Sequence, residues 1–218
     1  MTVKEQYNKT LADTLIQNLK KRQIEGFYCA TIEEAKAKAL SFVAECATVA
    51  FGGSMTLAES GILDALRAKS DIHLIDRNNA KTPEETKQMY RDAFSADTYF
   101  MSTNAITLDG ELINIDGNGN RVAALIYGPD QVIIVAGLNK VTANVEDGIR
   151  RVRNCATPPN CIRLNKKTPC AATGKCADCL SSECICNQIV ITRRSGNPDR
   201  IKVILIGESL GYYKTPLG

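Results

Sequence analysis

The sequence predicts an α/β fold: a largely parallel sheet flanked by helices, with an inserted antiparallel hairpin and a Cys-rich loop insertion. Three observations carry this. Short apolar runs such as Thr48–Phe51, Thr98–Met101 and Gln131–Ala136 alternate with segments of helical period. That alternation is the signature of strands joined by crossover helices. An Asp109-Gly110 pair stands between apolar runs, which signals a hairpin. Five of the nine cysteines crowd into one unpatterned segment before strand-like sequence resumes.

The elements follow in order. Val3, Tyr7, Leu11, Leu15 and Leu19 recur four apart, predicting a first helix with one apolar stripe. A short strand is expected at Gly26–Cys29. Thr31 and Glu34 have capping-box spacing ahead of a helix that turns Ala35, Ala39, Phe42 and Val43 inward. The strand Thr48–Phe51 runs into Gly52-Gly53-Ser54-Met55-Thr56. A helix to about Ala68 is expected next, with Ala58, Ile62, Ala65 and Leu66 inside. Ile72–Ile75 reads as a strand. Thr82, Pro83 and Glu85 supply an N-cap, an N1 proline and an N3 glutamate for a helix through Phe94. After the strand at Thr98–Met101 come the hairpin arms, Ile106–Leu108 and Glu111–Ile115. Gly117-Asn118-Gly119-Asn120 breaks the chain before the apolar stretch Val122–Tyr127. A helix from about Asn144 to Cys155 should bury Val145, Ile149 and Val152. Two strands, Ile189–Arg193 and Ile201–Ile206, close the pattern. Because strands resume after it, segment 157–187 reads as an insertion into one domain spanning 1–218.

Composition bounds the function. With 44% hydrophobic and 23% charged residues, the 218-residue chain is an ordinary globule and not a disordered one. No run of 18 apolar residues is present, so no membrane span is expected. The first nineteen residues are polar and amphipathic, without the apolar core of an export signal, so a cytoplasmic location is expected. A single histidine, His73, lies between Ile72 and Leu74 and reads as structural, which disfavours histidine-based catalysis. The net charge of +3 is uneven. Residues 140–202 hold twelve Lys or Arg against five Asp or Glu, so this part is basic and the rest acidic. That asymmetry suits an anionic ligand or site, or else a solvated helix face bearing Arg150, Arg151 and Arg153. Nucleic acid is disfavoured, because only Tyr212 and Tyr213 set aromatics beside the basic region.

Cys170, Cys176, Cys179, Cys184 and Cys186 have the spacing C-x5-C-x2-C-x4-C-x-C. A C-x2-C pair lets two thiolates reach one metal from a tight turn, and further cysteines complete sulfur coordination. Disulfides fit a reduced compartment badly, and five is an odd number. The segment therefore reads as a site for an iron–sulfur cluster, such as a 4Fe-4S cluster, or for zinc; all-sulfur ligation suits both and composition does not choose between them. Cys29 and Cys46 read as core filler, and Cys161 as a reserve ligand.

Gly52, Gly53, Ser54, Met55 and Thr56 join a buried strand to a helix, where free amides and hydroxyls favour an anion, although glycines also simply make such turns. Glu59 follows Thr56 at capping-box spacing, and Asp109 reads as a turn residue. Asn114 and Asp116 alternate with Ile113 and Ile115 and so share a strand face. With Asn104, Asn118, Asn120 and Arg121 they form a candidate site for a small anionic metabolite; the alternative is a solvated edge with Asn/Gly turns.

Three runs carry a resemblance: 52–59 (GGSMTLAE), 103–106 (TNAI) and 116–124 (DGNGNRVAA). With 137–140 (GLNK), the Pro158-Pro159-Asn160 region and the cysteine segment, they resemble the LUD-domain family, associated with lactate utilisation. The resemblance implies a fold like that of ribose-phosphate isomerases, glucosamine-phosphate deaminases and CoA transferases. It also implies a role in converting L-lactate to pyruvate alongside iron–sulfur partner subunits. Carried onto this chain, the family's cysteines fall at Cys170, Cys176, Cys179 and Cys186; Cys184 departs from the pattern. One reading is then a redox-associated protein that binds a small anion and a metal or cluster. A second is a phosphosugar- or CoA-type enzyme with structural zinc, using Glu59, Asp109 or Asp116. A third is a non-catalytic assembly or ligand-binding subunit.

Overall fold

The computed structural model of the chain describes residues 2–212. Its main sheet has six parallel strands: β1 (Glu25–Cys29), β2 (Thr48–Phe51), β3 (His73–Ile75), β4 (Thr98–Met101), β7 (Gln131–Gly137) and β10 (Ile201–Ile206). Their order is β1-β10-β7-β4-β2-β3, so the last strand of the chain enters between two earlier ones. A second sheet has the order β8-β5-β6-β9, built from β5 (Ala105–Thr107), β6 (Leu112–Asp116), β8 (Val141–Thr142) and β9 (Gln188–Thr192). The hairpin pairs β5 with β6 antiparallel, Ala105 opposite Ile113, around Gly110 at φ +93°. That left-handed value is why glycine follows Asp109.

Side-chain alternation divides the core into two layers. On β4, β7 and β10, Tyr99, Met101, Val132, Ile134, Val203 and Leu205 face one side. There they meet Ala12, Leu15 and Leu19 of α1 (Val3–Lys21) and Ala124 and Leu125 of α6 (Asn120–Ile126). Phe100, Ile133, Val135, Ile204 and Ile206 face the other side. They pack on α2 (Ile32–Leu40), α3 (Met55–Glu59) and α4 (Ile62–Ala68). Strands buried on both faces explain the continuous apolar runs of the sequence.

Local chemistry sets several element ends. Thr31 and Thr82 cap α2 and α5 (Pro83–Asp92) by accepting from the N–H of Glu34 and Glu85. α5 buries no residue fully and continues as one 3₁₀ turn, Ala93–Ser95. Helix α7 (Val145–Arg151) widens into a π turn over Val152–Ala156 and then becomes α8 (Thr157–Arg163). Pro158 and Pro159 remove two amides and push on the preceding turn, which a wider turn accommodates. The cysteine-rich segment thus contains α8 and a further short helix, α9 (Pro169–Thr173).

Some expectations are corrected. Val3 and Tyr7 are exposed at 86% and 63%, and the residues of α1 that pack on the core begin at Leu11. The helix expected to run to Ala68 breaks at Gly61, which takes φ +68°, and Leu57 rather than Ala58 turns inward. Cys46 is exposed, in a loop with φ +61°. Arg151 is not on a solvated face but buried. Tyr213 lies outside the described residues. No described helix is long and apolar enough to cross a membrane.

Candidate functional site

The carboxyl ends of parallel strands converge on a cleft of about 460 Å³. In open α/β sheets this edge is where ligands bind, since loops diverge there and leave a crevice. Gly53–Thr56 follow β2, Ser102–Asn104 follow β4, Lys140 follows β7 and Gly211 follows β10. The opposite wall comes from the end of β6, the start of α6 and the α7–α8 bend.

Of the eleven residues singled out in the sequence, nine line the cleft; Gly52 and Asn114 lie behind it. Gly52 sits where a Cβ would come 2.9 Å from the Tyr99 hydroxyl and 3.0 Å from Arg121 Cγ. Its role is close backbone approach. Ser54 caps α3 by accepting from Leu57 N–H. Thr56 and Glu59 do not form a capping box: the Glu59 carboxylate accepts from Gly211 N–H at 2.6 Å.

Arg121, Asn104, Asn114 and Asp116 form an internal network. The Arg121 Nε pairs with Asp116 at 3.1 Å. Its Nη1 donates to Asn114 Oδ1 and the Ser102 carbonyl, and its Nη2 to Asn104 Oδ1 and the Ile115 carbonyl. A guanidinium has five N–H donors, and all five are taken. Arg121 therefore braces the cleft and supplies positive potential rather than a free hydrogen-bonding fork. Asn104 is held likewise, its Oδ1 also accepting from Ile115 N–H at 3.0 Å. The Asn114 Nδ2 is buried without a partner.

Lys140 is the residue that sequence reasoning passed over. It is 6% exposed, yet its Nζ reaches the cleft floor and donates to Thr56 Oγ1 at 2.6 Å and Ser102 Oγ at 2.7 Å. Among the described residues no carboxylate forms an ion pair with it; Glu59 attracts it only through space. Burial first, then the nearby Arg151 and Arg121, pull its pKa from 10.5 to about 7. Its only sequence signal was a place in the 137–140 run. Arg151 is also buried, donating to the backbone carbonyls of Asn139, Asn104 and Tyr212. Toward the rim stand Arg77, whose Nη1 reaches the Tyr90 hydroxyl at 3.4 Å, with Arg163 and Lys166. Six cationic side chains and one carboxylate, Asp116, thus line the cleft. Asp109 lies elsewhere, in the hairpin turn, and His73 is exposed on the edge strand β3.

The cysteine segment abuts this cleft, which Asn160, Arg163 and Ile185 help to line. All nine cysteines are free thiols. Cys161 and Cys170 are buried with their sulfurs 3.6 Å apart. Two ligands of a tetrahedral zinc site, with Zn–S of about 2.3 Å, stand about 3.8 Å apart. Burial pushes the Cys161 and Cys186 thiols up to about 11. The Ser181 hydroxyl, as a hydrogen-bond partner, pulls Cys179 down. Among the described residues no three Cys, His, Asp or Glu side chains are gathered into a set that would hold a metal. The donors fit a thiophilic metal in chemistry, and the Cys161–Cys170 pair fits in spacing.

The fold and cleft define a class: an α/β protein with a parallel sheet and a basic crevice at its carboxyl edge. The LUD domain model matches residues 12–206, and the chain belongs to the LUD-domain family. A solved DUF162 family protein from Deinococcus radiodurans is similar at 13% identity and TM-score 0.52, over 91% of this chain and 98% of that one. The ribose 5-phosphate isomerase from Plasmodium falciparum is similar at 16% identity and TM-score 0.34, over 52% of each chain. So is eIF2B delta from Chaetomium thermophilum, at 16% identity and TM-score 0.37, over 63% of this chain and 54% of that one. Comparison with the curated proteins finds no match.

Proposed function

We propose that this LUD-domain protein binds a small anionic metabolite, a carboxylate or a phosphate, in the basic cleft. The observation that carries the reading is a cleft lined by six cations and one carboxylate, with Lys140 buried at its floor and no acid paired to it. Guanidiniums and ammoniums gathered in one crevice repel one another and are poorly solvated there, and a bound anion offsets both costs. Family membership supports a lactate-utilisation-type protein. Arg77 and Lys140 contact the ligand, with hydroxyls of Ser54 and Thr56 beside them, while Arg121 and Asn104 hold the wall in place. Thermal-shift titration with L-lactate, pyruvate and inorganic phosphate tests this. Stabilisation by at least one, weakened in Arg77→Ala, is expected. No response to any of the three sinks the reading.

A second component rests on the thiols. Cys170, Cys176, Cys179 and Cys186, with Cys161 beside Cys170, would hold zinc or an iron–sulfur cluster; a cluster would supply one-electron chemistry and suit a redox-associated role with iron–sulfur partners. Its support is the all-sulfur donor set and the 3.6 Å contact. Anaerobic purification followed by metal analysis and an absorption spectrum decides it. A colourless protein free of iron and zinc refutes it.

A further inference from the structure

Lys140 has surroundings that a structural lysine does not need. A structural buried lysine is matched by a carboxylate; this one donates to two hydroxyls, and the Arg151 and Arg121 guanidiniums oppose its charge more than the unpaired Glu59 carboxylate supports it. Those guanidiniums are committed elsewhere, Arg121 to Asp116 and its amide and carbonyl partners, Arg151 to three backbone carbonyls. They cannot neutralise the amine or swing away from it. Burial beside fixed positive charge is the physical arrangement that keeps a lysine amine unprotonated near neutral pH and therefore nucleophilic. The pKa near 7 agrees with that geometry.

We propose that Lys140 is a nucleophilic amine that forms an imine with the carbonyl group of a small anionic substrate held in the cleft. This rests on the anion-binding reading above and names the substrate class: an oxo compound carrying a carboxylate or a phosphate. The Nζ lone pair adds to the carbonyl carbon, forming a C–N bond as the C=O π pair moves to oxygen. Proton transfer from nitrogen to that oxygen gives a carbinolamine. The hydroxyl then leaves with the remaining N–H proton as water while the nitrogen lone pair forms the C=N bond. No oxidant or reductant is consumed. Thr56 and Ser102, each within hydrogen-bond reach of Nζ, are placed to relay the protons, and Arg77 at the rim is placed to take the anionic group.

The test is hydride trapping on the full chain. Wild type is incubated with pyruvate or with dihydroxyacetone phosphate, treated with borohydride, digested and mapped by mass spectrometry. The expected result is a reduced adduct on the peptide carrying Lys140, absent in Lys140→Arg and suppressed by excess inorganic phosphate. The probe that labels tells a carboxylate substrate from a phosphate one. Thermal shift is read in parallel. Stabilisation by a probe with no adduct at Lys140, or adducts only on exposed lysines, overturns this inference and leaves the anion reading standing. No stabilisation by either probe or by phosphate, together with no adduct, overturns both. Should Lys140→Arg not fold, the adduct position in wild type decides.

Discussion

Asn104, Asn114, Asp116 and Arg121 stand out in the sequence as candidate ligand contacts, and the structure places them together but commits the Arg121 donors to Asp116 and to the Oδ1 atoms of Asn104 and Asn114. Removing Arg121 would leave the buried Asp116 carboxylate unpaired. Arg121→Ala is therefore expected to cost about 3–5 kcal/mol in urea unfolding, and Arg121→Lys to recover little, because an ammonium cannot reproduce the planar fork. Gly52→Ala forces a methyl against Tyr99 and the Arg121 stem, for an expected loss of about 1–3 kcal/mol. Lys140 also makes a pH prediction. Its folded pKa, about 7, lies below the unfolded 10.5, so between these values the unfolded chain binds more protons. The penalty of charging it is complete below about pH 7 and is relieved as pH rises toward 10.5. Lys140→Met should therefore stabilise the apoprotein more at pH 6 than at pH 9. A gain that does not shrink between these pH values would refute the burial argument.

At the scale of elements, N-caps were legible because a hydroxyl and its partner amide are three residues apart in sequence. The break at Gly61 was harder to read: the apolar positions stay helical across it, whereas the left-handed backbone at Gly61 ends one helix and starts the next. Among the described α-helices, α5 alone has no fully buried residue. Thr82→Ala removes its cap, which is worth about 1 kcal/mol locally. Amides of 83–92 should then exchange faster by hydrogen–deuterium measurement, while those of β7 keep their protection. Equal acceleration in β7 would show that α5 unfolds only with the whole.

Across the whole molecule, the strand ends gather cations that are far apart in sequence into one cleft. Such an excess predicts that stabilisation by phosphate shrinks markedly between 50 mM and 500 mM sodium chloride, because mobile ions screen the attraction. Stabilisation independent of salt would argue that hydrogen bonding, not charge, holds the anion. The basic character of residues 140–202 is visible in the sequence, but not whether it serves an anionic ligand, an anionic site or a solvated helix face. Arg151 and Lys140 point instead into the cleft.

The sequence by itself determined most of the strands, the parallel class, the hairpin and the caps at Thr31 and Thr82, because side-chain period and turn chemistry are local. It also marked the runs by which the family is recognised. Only the tertiary structure decided what the polar residues do. Lys140 meets Thr56 across 84 positions and Ser102 across 38, and no local pattern encodes such partners. The same holds for the donors of Arg121, spent within the fold, and for Cys161, brought against Cys170 by the turn between α8 and α9. Burial and charge at a site are sums over all the elements around it, so they exist only once the chain has folded.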